Sequence, residues 1–269
     1  MNVYLYLTEL SYEDINDKKI VVPYVISVYD TPVCSGNATY DLSSANTSFL
    51  LLSFDDCYLD NWKKHLAFFT ENNLKATFFV YGNPDNIASF AKTVQNNNLE
   101  VGYHTLNHKN LMDFCDEATL YTEAVEPAIA LHKKYIYADS FAFPNGLYVD
   151  YQIEELLKWY KILRFYGSYF TLYKPEEIGE KRTVWSRAID NNRWTDDNHF
   201  KSQIFKELLI ARITESVFPV TSHNIVNSFD EAQDSRYAIT TERLHYLCLC
   251  LEKLNMKSSL YKDFYYYIH

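Results

Sequence analysis

Residues 49–58 read FLLLSFDDCY, and no other stretch constrains the fold as tightly. The apolar run from Phe49 to Leu52 continues through Ser53 and Phe54 into two adjacent carboxylates, Asp55 and Asp56. Such a run has the length of a buried strand and is too short for a helix. Neighbouring acids at the end of that strand repel each other and both lose water, a cost that a cation beside them removes. The other place for an Asp-Asp pair is an exposed turn, so the choice rests on the rest of the chain.

From residue 49 onward, strand and helix patterns alternate. After the first strand, Asp60 is expected to cap a helix that buries Trp62, Leu66, Phe69 and Leu74 along one face. A strand over 76–81 and a helix over 84–94, with Pro84 in its first turn, lead to a short strand over 99–103. A long amphipathic helix is expected over 116–134, with a kink at Pro127. Strand 140–143, helix 151–160 and strand 161–166 follow. Residues 174–193 show no regular pattern. A helix over 198–216, a strand over 217–221 and a helix over 240–254 complete the series, the last opening on a capping-type Thr240-Thr241-Glu242. This order predicts parallel strands joined by crossover helices. The fold class is α/β, a distorted (β/α)7-like barrel with extra N-terminal strands, in one domain over 1–269. Residues 1–48 form the extension, in which 20–29 is a strand interrupted at Pro23, at an edge or a kink, and 34–48 is a loop. Residues 49–269 form the barrel. Each polar cluster falls at the C-terminal end of a predicted strand, where such folds carry their sites.

A chain of 269 residues, 48% of them hydrophobic, can bury one large core. Its net charge of −10 argues against nucleic acid and anionic lipid as partners. Five cysteines without a CxxC pair fit reduced thiols and a cytoplasmic setting. The first residues carry neither a basic start nor a long apolar stretch, and no segment reaches the ~20 apolar residues of a transmembrane helix. The 24 tyrosines suit sugar faces and ordinary half-buried packing alike.

His104 and His108 stand four apart, directly after the strand expected at 99–103, with Asp55-Asp56 at the end of an earlier strand. Two imidazoles and one carboxylate make a facial set for a divalent transition metal, leaving positions open for water and substrate. The second acid is then free to act as a base, because a carboxylate that gives its lone pair to a metal accepts protons poorly.

The segments SFDD, HTLNH, FAFPNG and SHNI occur in that order. Together they resemble the polysaccharide deacetylase family, the NodB-homology group of carbohydrate esterase family 4, from about residue 49 to the C-terminus. The resemblance implies a metal-dependent de-N-acetylase. Asp55 would be the general base, and Asp56, His104 and His108 would hold one divalent metal ion. Zinc is the default for that set, and cobalt, nickel, manganese or iron also fit it. Residues 141–146, with Pro144, would form a groove wall, the Asn145 N–H would help hold the oxyanion, and His223 would protonate the leaving amine. The chain departs from the family pattern at three points. Cys57 replaces a Gly that often follows the acids; it is read as a packing residue, the alternative being a further ligand. Ala142 replaces an Arg that orients the base, as in FAYPYG-like subgroups. Asn145 stands where Tyr is common. Arg187 and Asp190 are candidates to replace the missing Arg or to pair with His223, with Arg187 counted as substrate-binding; an ordinary surface ion pair is the alternative. Trp185 and Trp194 are candidates to stack on a sugar, at least one of them being core. His65, His132, His199, His245 and His269 are assigned to structure or solvent.

The expected substrate is an N-acetylated amino sugar, lipid-linked, nucleotide-linked or in a polysaccharide precursor. A deformylase, a cyclic amidase and a non-catalytic carbohydrate-binding relative remain as alternatives.

Overall fold

The structure, a computed structural model, describes residues 2–5, 7, 10–28, 31–114 and 116–267. Cys115, His269 and the end of the strand expected at 20–29 lie outside the described residues. Three antiparallel strands come first: β1 (Asn2–Leu5), β2 (Lys19–Val28) and β3 (Thr31–Asp41), in the order β1-β2-β3. Pro23 sits inside β2, which is the central strand. It lies one residue beyond Tyr24, the last residue paired to β1, and so needs no ladder partner on that side. The loop expected at 34–48 is largely β3, whose register with β2 runs from Val28↔Thr31 to Lys19↔Asp41. Small polar residues suit an exposed hairpin arm as well as they suit a loop.

Seven parallel strands then close into a barrel, as expected. They are β4 (Phe49–Phe54), β5 (Thr77–Val80), β6 (Glu100–Tyr103), β7 (Ser140–Ala142), β8 (Ile162–Gly167), β9 (Thr183–Ala188) and β10 (Val217–Ser222). Closure is made by β10 against β4, from Val217↔Phe49 to Ser222↔Phe54. On the other side of β4, β5 pairs only with Ser53 and Phe54. The gap below is filled by β13 (Lys257–Ser259), which pairs with Phe49–Leu51. A small parallel pair, β11 (Asn224–Val226) with β12 (Ala238–Thr240), stands beyond β10.

The β4 strand is apolar throughout because both its faces are covered. Leu51 packs with Phe79, Ala142, Ile162 and Tyr261 in one cluster. Leu50, Leu52 and Phe54 pack with Trp62, Leu66 and Phe69 of helix α1 (Leu59–Glu71) in the other. By the period of two, Asp55 follows Leu51 and Ser53 toward the barrel axis.

Three local expectations need correction. Asp60 lies in the first turn of α1, and the N-cap is Tyr58. The unpatterned stretch 174–193 holds a helix, Pro175–Lys181, and β9; both are short, and β9 buries the polar Ser186 and Arg187 while exposing Trp185. The helix expected over 116–134 runs as α-helix over Glu117–Leu120, a π-helical turn over Tyr121–Val125, and α-helix over Glu126–His132. Pro127 is accommodated by that change of winding.

Candidate active site

The chain leaves β4 through two left-handed residues, Asp56 (φ 75°) and Cys57 (φ 57°). Glycine is favoured at such a φ. The Cys57 thiol instead pins the turn to β5: Sγ accepts the Tyr81 N–H at 3.0 Å and donates to the Tyr81 carbonyl at 2.9 Å. Burial pushes this thiol up to about 12, and its two bonds to the Tyr81 main chain fit a packing residue.

At the end of β6 the His104 N–H bonds the Val80 carbonyl at 2.9 Å, and Nδ1 faces the Ala142 carbonyl at 2.8 Å. That contact puts the proton on Nδ1 and leaves the Nε2 lone pair free. His104 Nε2 lies 3.5 Å, and His108 Nε2 2.8 Å, from Asp56 Oδ1. One donor atom from each of the three residues falls within 4.8 Å of the others. Burial works against the charge on Asp56, yet the two imidazoles beside it, His104 and His108, hold its carboxyl well below the usual carboxylate range. A converging carboxylate and two imidazoles, one with its tautomer set by a main-chain acceptor, is a donor set that fits a divalent transition metal.

His223 stands across the same cleft, with Nε2 3.7 Å from Asp56 Oδ2. Its Nδ1 donates to Asp190 Oδ2 at 2.6 Å. Asp190 is fully buried and also accepts from the Ser222 hydroxyl and, at 3.1 Å, from the His223 main chain. Burial disfavours a charge on His223, but the Asp190 carboxylate outweighs it and pushes the imidazole up to about 9.

Asp55 is gripped by Arg164, whose Nη2 bonds both carboxylate oxygens; both side chains are buried. Arg164 is the register partner of Ala142 on the neighbouring strand. Residues paired this way point to the same face, so its guanidinium enters the barrel beside the position where the family pattern has arginine. No motif pointed to Arg164. The available signal was a cation inside the apolar strand pattern ILRFYG.

Asp55, Asp56, His104, His108, Asn145 and His223 line one cleft of about 190 Å³, together with Tyr166, Asn192 and Tyr237, which the sequence reading missed. The Tyr237 ring meets His223 at 5.4 Å between centroids. Asn145 (φ 55°) projects from the turn Pro144–Gly146 and donates from Nδ2 to Asn110 at 2.5 Å. Pro144 is buried beneath it and shapes the turn without lining the cleft. A Cβ on Gly146 (φ 70°) would lie 2.5 Å from the Tyr166 carbonyl oxygen, so that position requires glycine. Arg187 does not join the cleft. It is buried, ion-paired to Glu207 and stacked on Trp194 at 5.0 Å. An arginine with a buried acid this close to it, and aromatic faces around it, has no reason to turn toward substrate. Trp194 is core, whereas Trp185 is 39% exposed and packs on Phe165. A larger hollow of about 700 Å³, lined in part by Glu71, Lys75, His245 and Cys248, contains none of the motif residues.

The sequence of residues 43–159 matches the polysaccharide deacetylase family. That segment belongs to the polysaccharide deacetylase family. Among solved structures, the barrel is similar to a T48 deacetylase with substrate, at TM-score 0.52 and 14% identity, over 83% of this chain and 94% of that one. It is also similar to a mutant of the Bacillus anthracis protein BA3943, a carbohydrate esterase family 4 pseudoenzyme with restored activity. There the TM-score is 0.50 and the identity 15%, over 81% of this chain and 67% of that one. At such identities the likeness establishes the deacetylase fold alone. No curated protein matches the chain by sequence.

Proposed function

We propose that this protein is a metal-dependent hydrolase that removes the N-acetyl group of an amino sugar. The observation that carries the reading is the placing of two hydrogen-bonded ion pairs on one cleft: Asp55 with Arg164, and His223 with Asp190. Amide hydrolysis needs a base for water, stabilisation of a tetrahedral oxyanion and a proton for the departing nitrogen. Asp55, aimed by Arg164, takes the proton of the attacking water. Asp56, His104 and His108 hold the cation. A divalent ion bound there supplies Lewis acidity toward water and carbonyl oxygen. The Asn145 main-chain N–H assists at the oxyanion. His223 carries the proton that the leaving amine requires, and Asp190 keeps it there at neutral pH. Zinc is the first candidate, followed by cobalt, nickel, manganese and iron.

We assign the substrate to the lipid-linked or nucleotide-linked N-acetyl sugars, or to a polysaccharide precursor. Cys34, Cys57, Cys248 and Cys250 are free, which supports a reducing, cytoplasmic compartment. Among the described residues no helix is long and apolar enough to cross a membrane. The deciding experiment is metal analysis of the purified protein together with acetate and formate release from a panel of acylated sugar conjugates. Metal content with acetate release supports the proposal. Formate release alone points to a deformylase, and sugar binding without release points to a non-catalytic relative.

A further inference from the structure

The loop from His104 to His108 carries two of the three cation-binding donors, yet it is neither strand nor helix. Thr105 (φ 70°) and His108 (φ 53°) both adopt left-handed backbone that L side chains resist. Something outside the loop has to hold it. Glu123, on the helix that follows, is 2% exposed and reaches the loop with every acceptor it owns. Its Oε2 accepts the Asn107 N–H at 3.0 Å, and its Oε1 accepts the Asn107 side-chain amide at 2.8 Å and lies 3.0 Å from Lys109 Nζ. Its main-chain carbonyl accepts the Leu106 N–H at 2.7 Å.

A carbonyl inside a helix is normally occupied by the N–H four residues on. For Glu123 that residue is Pro127, which has no N–H. The chain is wound as a π-turn here, with the Glu126 N–H closing on the Tyr121 carbonyl five residues back. The next carbonyl, that of Ala124, accepts the buried Tyr160 hydroxyl. The proline and the wide turn thus present Glu123 to the loop by both its side chain and its main chain, and π-turns recur at functional sites.

We propose that Glu123 is the positioning residue of the cation site: it clamps Leu106, Asn107 and Lys109 so that His104 and His108 stay in binding geometry, and Pro127 keeps its carbonyl available for this. The inference rests on the reading that Asp56, His104 and His108 hold a divalent cation. It is tested on the full chain with Co²⁺ and Zn²⁺, by chelator competition and by the visible spectrum of the Co²⁺ form. Glu123→Ala should weaken both ions by roughly 10–100-fold, as loss of a group supporting metal ligands does, and should alter the Co²⁺ spectrum. Glu123→Gln, which keeps one acceptor, should lose less. Asn107→Ala added to Glu123→Ala should cost little more, because the two act as one unit.

Pro127→Ala separates positioning from mere support. It returns an N–H to the helix and should leave the metal-free protein as stable as wild type or more so, yet weaken Co²⁺ severalfold. Wild-type affinity and spectrum in Glu123→Ala, or in Pro127→Ala should Glu123→Ala not fold, overturn the proposal. If the wild-type protein itself binds neither ion, the cation reading falls first, and that outcome is distinct.

Discussion

Arg164 and Ala142 are neighbours across one register pair, so the same space beside Asp55 can be reached from either strand. Removing the guanidinium leaves a buried carboxylate unpaired, and Arg164→Ala should cost about 3–5 kcal/mol in denaturant unfolding. Most activity should go with it, while Co²⁺ binding persists. Adding Asp55→Asn should recover stability and no turnover, and adding Ala142→Arg should recover part of both. A single Arg164→Ala protein with wild-type activity would show that Asp55 does not depend on its partner. A second expectation follows from His223. Its proton is held up to about 9, so a step that needs the charged imidazole persists through neutral pH and declines as pH rises through that value. Asp190→Asn should move this alkaline limb to lower pH, and His223→Ala should cut amide turnover by roughly 10²–10⁴. An activated ester, whose leaving group needs no proton, should suffer less. The individual donors were legible because strand-end acids and a His pair four apart are local patterns. Asp190 was named as a partner for His223, 33 residues away, and it does pair with it. Arg164 was harder, because its partner Asp55 lies 109 residues away along the chain and only the barrel brings the two together. Arg187, singled out for its sequence neighbourhood, was drawn instead to Glu207.

Elements place these residues, and two of them make claims of their own. Glu100 on β6 is fully buried at the start of the strand, accepting from Ser140 at 2.6 Å, Thr77 at 2.8 Å and the Lys262 N–H at 3.2 Å. Burial outweighs these bonds and pushes its carboxyl up to about 7, from 4.5 in a free chain. Folded protein therefore holds a proton that unfolded chain has released across that interval. The stability this gives is complete below about pH 4.5 and is lost as pH rises to about 7. Relative to wild type, Glu100→Gln should be neutral near pH 4.5 and more stable by about 1–3 kcal/mol at pH 8, read from urea midpoints at both values. An equal effect at both would place the proton elsewhere. The turn after β7 is the other case. Gly146→Ala should drive Asn145 out of the cleft by its clash with the β8 main chain, raising KM or lowering kcat with little change in Co²⁺ affinity. The strand-helix series was readable because parallel strands are apolar on both faces. The stretch holding β9 was opaque because its strand is short and buries polar residues, Ser186 and Arg187, where an apolar run would be expected, and β3 because its small polar residues face solvent.

At the scale of the molecule, the site occupies the C-terminal ends of the barrel strands, and the antiparallel extension serves a different part of the surface. Ile15, Ile20, Val22 and Leu42 are buried in the main core, and Tyr12 packs against Phe205 and Tyr246 of the helices behind the barrel. Removing residues 1–41 should thus lower the thermal midpoint by several degrees while leaving Co²⁺ affinity within about twofold, since no donor moves. A loss of cation binding in a folded protein so shortened would tie the extension to the site after all.

The strand β13 sets a clock. It supplies Leu50 with its second neighbour from Ser258, about 200 residues downstream, an extreme of non-local pairing. A ribosome must release residue 259 before the lower half of β4 is enclosed, so the barrel cannot seal before that point. Until then the Phe49–Leu51 edge stays open to proteases, to chaperones and to the same edge of another nascent chain.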